Sequence, residues 1–162
     1  MVRGANAPDY NLNGRICMRL KMAATAAALT LTTAAWAGGP VLSPQQISTI
    51  AGMMFQAYAE GGVPQMFADE MKCWDDASKT TRTDKNVVAA CATAAMSGGL
   101  IEASFARKQR RGPSPQYAGD AIRERISDLS GLNPDVLQSL SDDTLRPGVP
   151  AMLTGLQGAG MR

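Results

Sequence analysis

The chain has 162 residues, 45% of them hydrophobic and only 5% aromatic, with a formal net charge of +2. There is no His. This removes Ser-His-Asp and Cys-His catalysis, the commonest general base and most zinc sites.

The N-terminal region reads as a leader. Arg15, Arg19 and Lys21 form a positive run. Met22 to Ala34 follows without a charge, and Ala35-Trp36-Ala37 places small residues at −3 and −1 of a cut before Gly38. That order is the layout of a secretory signal peptide. An ordinary Ala-rich helix is the alternative, and a membrane span is not, since the apolar run is short of the roughly 20 residues a bilayer needs. Residues 1–37 are therefore expected to be a leader, with translation starting at Met1, Met18 or Met22. Residues 38–162 are expected to be one domain, located in the periplasm.

Without Arg3, Arg15, Arg19 and Lys21 the domain keeps 12 of the 16 cations, and without Asp9 it keeps 13 of the 14 acids, a net charge of −1. Nothing in that balance suggests nucleic acid. Cys17 leaves with the leader, and Cys73 and Cys91 remain. An even cysteine count in an exported chain reads as a disulfide.

The domain reads as helices throughout. Ser43-Pro44-Gln45-Gln46 is a start signal, with a capping box and Pro at the first helical position. Ile47, Ile50, Ala51, Met54 and Tyr58 then share one face, and Gly61-Gly62 ends the helix. Pro64 opens a second helix, with Phe67, Met71 and Trp74 on one face. Asp69, Glu70, Asp75 and Asp76 read as its solvated side, since their spacing is not that of a calcium loop. Ser78 to Asp84 reads as a loop.

Asp84 can cap a third helix running to about Arg111. Cys91, Ala95 and Gly99 form one row of small residues, and Ala90, Ala94 and Gly98 form another. Such rows permit close helix packing. Glu102 and the basic end argue against a membrane span. Gly98-Gly99 is a candidate kink. Arg107, Lys108, Arg110 and Arg111 oppose the negative end of the helix dipole, and Gly112, Pro113 and Pro115 stop the helix.

Ser114-Pro115 starts a fourth helix bearing Ala118, Ile122, Ile126 and Leu129, which Gly131 ends. Asn133-Pro134 starts a fifth, with Leu132 placed to staple onto Leu137. Pro147, Gly148 and Pro150 read as a further break, a short helix holds Met152, Leu153 and Leu156, and Gly158 to Arg162 is expected to fray. The expectation is an all-α bundle of about five helices with one inter-helix disulfide.

That disulfide has a geometric warrant. The second and third helices form an antiparallel hairpin about residue 81. The midpoint of Cys73 and Cys91 is residue 82, so the two lie level, and the alanines beside Cys91 allow the short Cα separation a disulfide needs.

Glu102 is the acid in an apolar stretch, and a helical Glu of raised pKa is the usual acid of glycan-cutting enzymes. A surface Glu paired with a nearby Arg or Lys is the plainer reading. No metal or cofactor is called for. The loop after the third helix is stiffened by Pro113 and Pro115, which lowers the ordering cost of binding. Arg110, Arg111, Gln116 and Tyr117 are its candidate contacts, since Arg and aromatic residues are favoured anchors. An ordinary interhelical turn is the plainer reading of it.

The layout resembles the periplasmic immunity proteins of type VI secretion amidase effectors. The leader through Ala35-Trp36-Ala37, the hairpin with Cys73 and Cys91 and the helix through Gly98-Gly99 carry the resemblance, with no motif matched residue by residue. It implies an inhibitor without activity of its own, whose partner is a secreted cell-wall amidase. A homodimer is left open. The rival readings are a small periplasmic enzyme acting on glycan or peptide, and a helical component of an envelope complex.

The leader reading sets its own check. The exported protein should begin at Gly38 on N-terminal sequencing. A start well to either side would contradict the assigned cleavage.

Overall fold

The computed structural model describes residues 40–79 and 84–162. Residues 1–39, which include the expected leader and Cys17, and residues 80–83 of the expected loop lie outside the described residues. The architecture is all-α. Helix α1 spans Pro44–Lys79 and α2 spans Lys85–Lys108. A 3-10 turn over Pro115–Tyr117 leads into α3 (Gly119–Ser130) and α4 (Pro134–Leu140). A π-helical turn, Ser141–Leu145, then joins α4 to α5 (Arg146–Gly158).

Local chemistry sets the helix starts. The Ser43 amide donates to Gln46 Oε1 at 2.9 Å and the Gln46 amide donates back to Ser43 Oγ at 3.3 Å, the reciprocal capping box. Asp84 accepts from the Asn86 amide at 2.9 Å, and Asn133 accepts from the Val136 amide at 2.9 Å. The two helices expected over 44–60 and from Pro64 are both present, as the two halves of α1 that meet at a kink. Gly62, at φ 67 and ψ −155, is the non-helical joint between them.

The halves of α1 bury different rows. In the first, Ile47, Ala51, Met54 and Ala57 face the core. In the second the buried row is Met66, Glu70, Trp74 and Ala77. The expected face of Phe67, Met71 and Trp74 is thus rotated by about one residue, with Phe67 and Met71 half-buried at its edge. Glu70 is 0% exposed, so its assignment to a solvated side is corrected.

Helices α1 and α2 form an antiparallel hairpin. Cys73 and Cys91 are joined across it at a Cα separation of 5.6 Å, and Cys91 is fully buried. At the other end Phe105 of α2 stacks on Tyr58 and Phe55 of α1, with centroids 4.6 and 6.4 Å apart. Helix α2 runs through Gly98-Gly99 without a break. By length and composition it could cross a membrane, but 61% of its apolar window is buried inside the fold.

Helix α5 lies parallel to the first half of α1. The Val41 amide donates to Thr144 Oγ1 at 2.9 Å, and Gly148 sits on Ile47. At Gly155 a Cβ would fall 2.0 Å from the Ser48 carbonyl oxygen, so only glycine permits this approach. Pro147 and Pro150 do not break the chain as expected. Pro147 lies at the start of α5, where a missing N–H costs least. The π turn before it carries the helix on, with the Arg146 amide bonded to the Ser141 carbonyl. The segment Gly158 to Arg162 closes the end of α5. Gly160 takes φ 107, its amide bonds Gln157 O at 3.0 Å and the Met161 amide bonds Leu156 O at 2.9 Å, a Schellman motif.

The hairpin makes one stability prediction. A disulfide closing a loop of this size contributes about 3 kcal/mol. Cys73→Ser should lower Tm by roughly 10 °C in a domain of this length while circular dichroism keeps its helical signal. An unchanged Tm would contradict a structural role for the bond.

Candidate functional site

The site is the segment that leaves α2 and enters α3. It is built by two buried carboxylates. Neither belongs to the segment itself.

Helix α2 ends in a second Schellman motif. The Arg110 amide bonds Arg107 O at 3.1 Å and the Arg111 amide bonds Ala106 O at 2.9 Å. The residue in the left-handed position is Arg110, at φ 55, where glycine is usual. This reversal turns Arg111 back along the helix. Its Nη1 donates to Glu102 Oε1 at 2.6 Å and its Nη2 to Glu102 Oε2 at 3.3 Å. Arg111 Nε reaches Gln109 Oε1 at 2.7 Å, and Nη1 also reaches the Gly112 carbonyl at 3.0 Å. The Ser114 amide donates to Glu102 Oε1 at 2.8 Å. Glu102 is 0% exposed. The expected pairing with an Arg is present, but the position is interior rather than on the helix surface.

Burial is the largest influence on the Glu102 carboxyl and pushes its pKa up. The Arg111 hydrogen bond, the Ser114 donors and the Arg111 charge together outweigh it and hold the pKa below the ordinary Glu value. A general acid needs the opposite shift. Tyr58 lies near the same pair, and burial followed by the Glu102 charge raises its pKa.

The second carboxylate anchors the other end of the segment. Glu70 receives Arg125 Nε at 2.6 Å on Oε1 and Arg125 Nη2 at 3.3 Å on Oε2. Arg125 Nη1 donates to the Gln116 carbonyl at 2.9 Å. The guanidinium lies 5.1 Å from the Phe67 ring centroid and 5.7 Å from that of Tyr117, and the two rings meet edge to face at 6.1 Å. One arginine of α3 thus joins α1 to the 3-10 turn.

Tyr117 fills the notch left by Gly98. A Cβ on Gly98 would stand 2.4 Å from the Tyr117 ring, and one on Gly99 would stand 2.6 Å from Ile122. The small-residue rows therefore admit side chains of the turn and of α3. Burial, then the Glu70 charge, raises the Tyr117 pKa.

The four candidate contacts divide accordingly. Arg110 is exposed, Gln116 is half-exposed and the Arg111 side chain is 39% exposed but engaged by Glu102. Tyr117 is 3% exposed, so its assignment as a partner contact is corrected to an internal anchor. Gly112 and Pro113 are exposed at the tip. Glu70 and Arg125 were missed from sequence because 55 residues separate them. Among the described residues no cluster of three His, Cys, Asp or Glu could hold a metal ion. Comparison with protein-family models, with characterised proteins and with solved structures finds no match.

The two ion pairs differ in exposure, and this orders their substitutions. Arg125 is 11% exposed, so Glu70→Gln strands a charge in the interior and should cost about 3–5 kcal/mol. Arg111 can turn to water, so Glu102→Gln should cost less, about 1–2 kcal/mol. The Glu102 contribution is fully present above its unfolded pKa, about 4.3, and is lost as pH falls through the lower folded value. Denaturant titrations should show the gap between wild type and Glu102→Gln closing below about pH 4. A gap that widens in acid would contradict the assigned ion pair.

Proposed function

We propose that this chain is an exported protein-binding inhibitor whose Gln109–Gln116 segment enters the cleft of a cell-wall amidase. The observation that supports this reading is the double anchoring of that segment. Glu102 holds it at Arg111 and Ser114, and Arg125 holds it at Gln116. An exposed segment fixed before binding loses little conformational entropy on binding, and protease inhibitors use the same economy.

Three further features agree with it. The N-terminal sequence has the layout of an export signal. The disulfide and the closed helix ends suit a durable scaffold. Both buried carboxylates are occupied by arginine, which leaves them poorly placed for acid–base work. The layout resemblance to immunity proteins of type VI amidase effectors points the same way.

The test is inhibition. The purified exported protein is titrated into peptidoglycan digestion by Cys-His amidases, starting with any encoded beside its gene. The expected result is complete inhibition near one equivalent, reproduced as protection of cells. Turnover of peptidoglycan by the protein itself, or digestion unaffected by excess protein, would contradict the proposal.

A further inference from the structure

We infer that the end of α2 from Arg107 to Arg110 is a contact surface for an acidic patch on a protein partner, with Arg110 placed for binding rather than for folding. This rests on the protein-binding reading above and adds the chemistry of the partner.

The charge is one-sided. No acid occurs between residues 103 and 119, while four cations fall within 107–111. The structure uses two of the four. Arg111 is held by Glu102. Lys108 bonds the Arg162 carbonyl and lies 5.5 Å from the centre of the Phe105 ring. Arg107 and Arg110 are exposed, and neither guanidinium has an acid to pair with among the described residues.

The helix dipole explains part of this. A cation in the last turn of a helix is stabilising, and Arg107 and Lys108 stand there. Arg110 does not fit that explanation. It lies beyond the last helical residue in the left-handed conformation that glycine adopts without strain. Its only hydrogen bond among the described residues is made by the backbone amide, which glycine would make equally well. A strained residue whose side chain has no internal partner is best accounted for by something outside the molecule.

Two features favour a protein over a lipid surface. Three of the four cations are Arg, whose planar fork pairs with carboxylates through two parallel hydrogen bonds and which interfaces favour over Lys. The backbone carrying them is fixed by the Schellman bonds and by Glu102, whereas polybasic attraction to a membrane needs no fixed backbone.

The test is Arg110→Gly in the full exported chain, beside Arg107→Glu. Tm of Arg110→Gly should stay level or rise. Its affinity for the amidase inhibited by wild type should fall at least tenfold, with a weaker dependence on salt, and Arg107→Glu should fall further. Equal affinities would overturn this inference and leave the inhibitor reading standing. If no amidase binds, that reading fails, and a photo-crosslinker at Gln109 in exporting cells decides the surface. Adducts on Asp- and Glu-rich protein segments that Arg110→Gly abolishes support it. Protein adducts untouched by the substitution, or no adducts, overturn it. Binding of phosphatidylglycerol vesicles that Arg110→Gly abolishes would likewise overturn it, in favour of a lipid surface.

Discussion

A carboxylate with no exposed surface is costly unless it is paired and hydrogen-bonded, and Glu102 finds its three donors close by in sequence. Both its oxygens take Arg111 and one also takes the Ser114 amide. The donors come from nine and twelve residues downstream, beyond the end of the helix that carries the acid. The chain can return only if α2 stops at Lys108 and reverses, so the buried acid fixes where the helix ends. Arg110 accepts a left-handed conformation as part of that reversal.

The rest of the segment follows from this return. Once Ser114 is tied to Glu102, the 3-10 turn is laid along α2 and Tyr117 enters the notch at Gly98. Ile122 then settles on Gly99, which sets the line of α3. Arg125 on that helix reaches Glu70 of α1 and the Gln116 carbonyl together. The two ion pairs are thus linked through the backbone between them. Replacing such pairs by apolar residues of similar volume is often neutral or stabilising, so raw stability is a poor account of their presence. A segment of defined shape at the protein surface is a better one.

Much of the fold was legible because its signals are local. The Ser43-Pro44-Gln45-Gln46 box and the Asp84 and Asn133 caps each act within three residues. The disulfide was legible from symmetry about one loop. What was missed depended on distant partners. Glu70 reads as one more acid on a polar helix face, and nothing near it reveals that an arginine 55 residues later lies inside. The glycine pair in α2 announced a close approach, but a kink, a helix and a tyrosine ring are equal readings of two missing side chains. Pro147-Gly148-Pro150 looked like a break because the π turn that accommodates it depends on tertiary packing, with Thr144 bonded to Val41 and Gly148 seated on Ile47.

For the candidate site, the sequence drew attention to this segment and misjudged its sides. Two prolines and adjacent arginines made it conspicuous, while the inward turn of Tyr117 left the exposed face to Arg110, Gly112 and Pro113. The functional account rests on that segment being rigid in the free protein. Amide hydrogen exchange at Ser114, followed by NMR, tests this most directly. If Glu102 holds the segment, the Ser114 amide should be protected to the level of the core amides of α2. Exchange at the rate of an open loop would contradict the account.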